Sequence, residues 1–169
     1  MQNIFKKAGI VIIVLLALMQ LYRPARNQSN DQTSDISKKF PVPDSVQTIL
    51  KTSCYDCHSN YTVYPWYANI QPVAAWLDHH VDEGKDELNF SEFSSYSPRR
   101  QYKKLDEIIK QLDEHEMPLS SYTIIHRNAV ISSTQQMIIS SWANTLRDSM
   151  RATYPADSLK MKKRVPKKD

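Results

Sequence analysis

Both cysteines of the chain fall within five residues, Cys54-Tyr55-Asp56-Cys57-His58. Two thiols at this spacing, followed at once by an imidazole, form the C-x-x-C-H pattern of covalent haem attachment. Each thiol can add across one vinyl group of the porphyrin, and His58 is then placed under the iron as its proximal ligand. Three other readings of the pair exist. Thioredoxin-like chemistry shares the C-x-x-C spacing, but it belongs in a βαβ setting that this sequence lacks. Structural zinc wants four ligands, and His79, His80, His115 or His126 would have to complete such a site. A disulfide across so short a loop is sterically awkward. Haem c, with its iron, is the expected cofactor.

The iron needs a second axial ligand. Met117, followed by Pro118, lies about 60 residues beyond the motif, between two expected helices, and thioether ligation suits small electron-transfer cytochromes. Met117 sits at a polar, acidic helix end instead of on an apolar face, and it is the expected distal ligand. His115 is the alternative, although an imidazole, unlike a thioether, can be protonated and so suits a permanent ligand less well. A methionine here could equally cap an apolar cluster. The haem disc also needs walls, for which Trp66, Tyr67, Pro72 and Trp76 are expected, with the carbonyl of Pro65 or Pro72 orienting His58 through its other nitrogen. An ordinary core would use the same aromatics. Arg99 and Arg100 are candidates to neutralise the propionates, the alternative being a solvated helix start.

Helices must position these groups. Val46, Ile49 and Leu50 share one face of a helix running from about Phe40 to Cys54, with Pro43 in its first turn. A second helix is expected over 71–83, burying Val73, Trp76, Leu77 and His80 or Val81 and stopping at Gly84. Ser97 and Pro98 make an N-cap and first-turn pair. Tyr102, Leu105, Ile108, Ile109 and Leu112 then repeat at three- and four-residue intervals, an amphipathic pattern that Pro118 ends. The last helix starts near Ser132, where Gln135 can close a capping box, and it buries Ile138, Ile139, Trp142 and Leu146. Tyr122 to Ile125 could form a short extended piece. The fold class expected is all-α: a cytochrome c-like bundle of about four helices around a covalently attached haem, preceded by an N-terminal hydrophobic segment.

Length and composition bound the rest. The 169 residues suit one domain, and 2 glycines argue against turn-rich β-sandwiches and Gly-loop nucleotide binders. Lys6 and Lys7 precede an apolar run from Ala8 to Met19 that extends past Gln20 to Leu21 and Tyr22. Residues 1–22 therefore read as a signal peptide or an N-terminal membrane anchor, with no small-residue cleavage site following. Residues 23–40 are polar and read as a flexible tether, 41–150 as the haem-binding domain, and 151–169 as a basic tail. The formal charge of +4 is uneven, because residues 27–150 alone carry −5. The basic balance thus lies at the ends, and nothing points to nucleic acid. The expected partners are redox proteins and, through residues 8–22, a membrane. The oligomeric state is not encoded in any pattern here. Haem attachment takes place outside the bacterial inner membrane, so the periplasmic side is the expected location.

Several short stretches together resemble a family. Ser53 to Asn60, Tyr64-Pro65-Trp66-Tyr67, Ile70-Gln71-Pro72-Val73, Glu83-Gly84-Lys85, Leu88-Asn89-Phe90-Ser91, Arg99-Arg100-Gln101-Tyr102 and Glu116 to Tyr122 are similar to the bacterial haem-binding domain family related to c-type cytochromes. The resemblance spans roughly 40–145. It implies c-type haem on Cys54, Cys57 and His58, and implies no electron donor or acceptor. Similarity to mitochondrial-type cytochromes c is looser, since the stretch from Leu88 to Ser95 and the scarcity of glycine depart from them. The function expected is one-electron transfer. The rival readings are a haem-dependent peroxidase-like enzyme and a haem-based redox or gas sensor.

Overall fold

A computed structural model gives the fold and describes residues 2–160. Among the described residues there are eight α-helices and no strand. In chain order they are α1 (Gln2–Met19), α2 (Asp44–Ser53), α3 (Tyr55–His58), α4 (Val73–Glu87), α5 (Pro98–Asp113), α6 (Ser120–Thr123), α7 (Ser133–Thr153) and α8 (Ala156–Leu159). Short 3-10 turns join several of them. The four helices expected from apolar periodicity correspond to α2, α4, α5 and α7.

The core forms where α2, α5 and α7 converge. Leu50, Leu105 and Ile139 are almost wholly enclosed there, together with Phe90 and Phe93 from the 3-10 segment Phe90–Ser95. Each such side chain contributes about 1.5–3 kcal/mol by leaving water. The caps are those the sequence signals: the Ser97 hydroxyl accepts from Arg100 N, with Pro98 following, and Ser132 and Gln135 close a capping box. The Trp142 indole N–H donates to Pro41 O at 2.9 Å, fastening α7 to the entry of α2.

Three expectations about the helices need correction. Helix α4 does not stop at Gly84 but runs through it to Glu87, and its buried residues are Ala74 and Val81, not Val73 and Trp76. Ala74, Val81 and Gly84 lie on one face, and small side chains there let the α4 backbone approach α3 closely. The bulky pair is left in solvent. Tyr122 to Ile125 is not extended: the chain turns helically through α6.

The segment read as a tether, 23–40, is tied to the domain. Asn27 N donates to the Tyr64 hydroxyl, its side chain donates to Ser59 O and Thr62 Oγ1, and Ile36 is fully enclosed in the core. The polar composition that suggested a solvated chain is consumed in specific hydrogen bonds. The basic tail is likewise shorter than expected, because α7 continues to Thr153 and Leu159 of α8 is buried. Residues 161–169 lie outside the described residues. At the other end α1 projects with its side chains from Ile10 to Met19 exposed. Among the described residues no helix is long and apolar enough to cross a membrane.

Candidate functional site

Helix α2 runs directly into the C-x-x-C-H stretch, with Cys54 N donating to Leu50 O, and α3 is a single turn carrying Cys57 and His58. Because α2 is anchored by Val46, Ile49 and Leu50 in the core, it holds the motif on a rigid base. Helix α4 then packs against that turn. A methyl group at Gly84 would lie 2.8 Å from Cys57 O, so only glycine permits this approach.

The contact has a chemical consequence. His58 Nδ1 lies 2.8 Å from Gly84 O and 2.9 Å from Leu88 O. Carbonyls only accept, so the proton sits on Nδ1 and the lone pair on Nε2. Burial holds the imidazole below its ordinary pKa against the pull of the two carbonyls, with Lys104 adding to the depression and Glu87 opposing it. His58 therefore presents a neutral, oriented imidazole, the form in which histidine can ligate a metal. The orienting carbonyls belong to Gly84 and Leu88, not to Pro65 or Pro72.

Two cavities flank this imidazole. One, of about 410 Å³, is lined by Cys54 and His58 with Leu50, Leu88, Phe90, Ile108 and Leu112. The other, of about 480 Å³, is lined by Cys54, Cys57, His58, Gly84 and Tyr122. Met117 and Pro118 line both. Volumes of this size are in the range of cofactor sites. Met117 is delivered by the turn after α5, where Glu116 N and Met117 N both donate to Gln111 O. His115 is exposed, has φ of 56°, and lines neither cavity.

The other expected site residues are placed differently. Trp66, Tyr67, Pro72 and Trp76 line neither cavity, and Trp66 is 76% exposed. The walls come instead from α2, α5 and the Leu88–Phe90 stretch. The Tyr67 hydroxyl meets His126 Nε2 at 2.7 Å. Arg99 donates to Asp157 O, while Arg100 donates to Asp86 O and lies over the Tyr96 ring. The cations at the first cavity are Lys104 and Lys110. Lys104 is only 8% exposed and bonds Glu87 at 3.0 Å and Glu107 at 2.8 Å. Burial disfavours its charge, but the two carboxylates outweigh that and raise its pKa above the ordinary value.

Several contributors were not foreseen. Asn60, two residues past His58, accepts from Asn89 Nδ2 at 2.7 Å and donates to Asp31 O, while Ser91 N donates to Asn89 Oδ1. This buried amide pair locks the exit of the motif to the segment that supplies Leu88 O. Two asparagines in otherwise unrelated stretches were its only sequence signal. The Tyr122 hydroxyl donates to Asp56 Oδ2 at 2.7 Å and stacks on His126, clamping α6 over the motif.

The donor set discriminates among the readings of the cysteines. Burial pushes the Cys54 thiol up to about 12, with Cys57 adding to the shift, and the Cys57 thiol up to about 11, with Asp56 adding. Neither is the low-pKa thiolate of dithiol redox chemistry. Among the described residues no group of three His, Cys, Asp or Glu side chains could hold a metal ion, which leaves the zinc reading without ligands. An apolar cleft with a neutral imidazole, a thioether and two thiols fits a haem. A model of a family described as a haem-binding domain matches residues 14–145. No curated protein and no solved structure matches the chain. The match covers most of the chain and includes the motif, both cavities and the helices that build them, so this protein belongs to the haem-binding domain family.

Proposed function

We propose that the chain is a c-type monohaem cytochrome, a one-electron carrier held on the periplasmic side of the bacterial inner membrane. The observation that carries this reading is the lining of the two cavities, where Cys54, His58 and Met117 meet. In it, Cys54 and Cys57 hold the group covalently, His58 Nε2 is the proximal donor and Met117 Sδ the distal one. Bound there, haem supplies a ferric/ferrous couple, and the protein supplies ligands, a dry pocket and a docking surface. Met117 does not titrate, so the ligand set persists across the physiological pH range. Leu50, Leu88, Phe90 and Ile108 supply the apolar part of the cleft's lining. Lys104 at the same cavity is already paired with Glu87 and Glu107. Residues 8–22 attach the domain to the membrane, and redox proteins are the partners.

The test is expression with a haem-attachment system, followed by haem staining on a denaturing gel and by oxidised and reduced spectra. The parent should retain stain and show a low-spin haem inert to carbon monoxide, and Cys54→Ala with Cys57→Ala should lose the stain. An unstained parent, or undiminished stain in the double variant, overturns covalent attachment. Rapid carbon monoxide binding or peroxide turnover by the parent would favour the sensor or peroxidase-like reading over the carrier.

A further inference from the structure

Helix α1 has no packed face. From Ile10 to Leu16 every side chain is exposed, so the whole circumference of the helix is apolar and unpartnered. The helix is nevertheless joined rigidly to the domain, with no spacer. Gln20, one residue past its end, donates to Gln71 O at 3.2 Å and accepts from Gln71 N at 3.0 Å. Gln71 is itself buried and donates to Tyr22 O at 2.9 Å. Arg23 donates to Asn69 O at 2.6 Å, and Arg26 bonds the Asn69 side chain and lies 4.8 Å above the Tyr64 ring.

Around this joint the domain displays large apolar groups. Ile70 and Val73 flank Gln71 and are exposed, as are Trp66 and Trp76 at either end of the same stretch. The third tryptophan, Trp142, is only 7% exposed and hydrogen-bonded inside the core. The first turn of α4, which carries Val73 and Trp76, contains no acidic residue, while Arg23 and Arg26 are bonded to Asn69, two residues before Gln71.

We propose that the surface formed by Trp66, Ile70, Val73 and Trp76 docks onto the lipid bilayer that holds α1, with Arg23 and Arg26 at the level of anionic headgroups. The proposal rests on the reading that residues 8–22 are membrane-embedded. The apolar stretch Ala8–Met19 is about 18 Å long at 1.5 Å per residue, against a hydrocarbon core of about 30 Å. So short a segment draws its flanking residues into the interface, and the Gln20 to Gln71 bonds draw the domain with it. Tryptophan is enriched at that depth because it is both apolar and a hydrogen-bond donor, and arginine there is attracted by anionic lipid. A protein partner for the patch would have to occupy the face nearest the bilayer.

The experiment uses the full haem-loaded chain in bilayers of phosphatidylcholine and phosphatidylglycerol carrying a photoreactive diazirine on the acyl chains, with adducts mapped by peptide mass spectrometry. Label is expected on α1 and on the peptide spanning 66–76, with the peptide holding Trp142 at background. Trp66→Asp with Trp76→Asp should remove label from 66–76, since a carboxylate resists entry into the interface, while α1 stays labelled and the haem spectrum is unchanged. Label on α1 alone overturns the docking and leaves the patch to a protein partner. Absence of label from α1 as well overturns the membrane attachment on which the docking rests.

Discussion

The substitution Gly84→Ala sets two well-defined effects against each other. Gly84 lies inside α4 at an ordinary helical φ, so alanine there gains about 1 kcal/mol of helix propensity. Against this, the added Cβ would lie 2.8 Å from Cys57 O, 3.1 Å from Cys57 Cβ and 3.3 Å from Cys57 C. Two of these are backbone atoms of α3, which cannot rotate aside, so α4 must retreat. Overpacking of this kind costs about 1–3 kcal/mol. The retreat also stretches the 2.8 Å bond from His58 Nδ1 to Gly84 O, worth about 0.5–1.5 kcal/mol, although Leu88 O remains at 2.9 Å. The net expectation is a loss of about 0.5–3.5 kcal/mol. For a domain of this size that lowers Tm by roughly 2–10 °C. Thermal unfolding of the haem-loaded protein, followed by circular dichroism, measures it. The reduction potential should also rise, because a weaker hydrogen bond makes His58 a less basic ligand. A Tm equal to or above that of the parent, with an unchanged potential, would refute the close-approach argument.

Met117→Ala should turn an inert low-spin haem into one that binds carbon monoxide, while His115→Ala, at an exposed position that lines neither cavity, should leave the spectrum unchanged. The reverse pattern in a carbon monoxide titration would transfer the ligand role to His115. Burial pushes the Glu107 carboxyl up, but hydrogen bonds from Lys103 and Lys104 outweigh it and leave its pKa below the ordinary value. Its folded value is therefore under its unfolded one, so the stabilisation is present at neutral pH and is lost as pH falls from about 4.3 through the folded value. With Glu107 one-third exposed, the share is at most about 1 kcal/mol. Denaturant titrations at a series of acidic pH values should show a shallower decline for Glu107→Gln than for the parent, and identical slopes would remove Glu107 from the account.

What local chemistry encodes was legible in the sequence. The C-x-x-C-H stretch pointed to haem, and the match to the haem-binding domain family agrees with that; spacing along one turn is set locally, and no distant residue alters it. The caps at Ser97 and Ser132, and the stripes of α2, α5 and α7, follow from side chains within a few positions of one another. The partners brought from elsewhere were decided only by tertiary packing. Periodicity could show that α4 is a helix but not which face would be buried. Close backbone approach at Gly84 turned the face carrying Ala74, Val81 and Gly84 inward and left Val73 and Trp76 outside. That choice made Gly84 the partner of His58 instead of a helix stop, and it left Trp76, expected as a haem wall, exposed. In the same way Lys104 and Lys110, not Arg99 and Arg100, line the cleft, and a polar stretch that composition reads as a tether became part of the fold. A buried polar contact depends on which backbones meet, and that information resides in the packing of helices far apart in sequence.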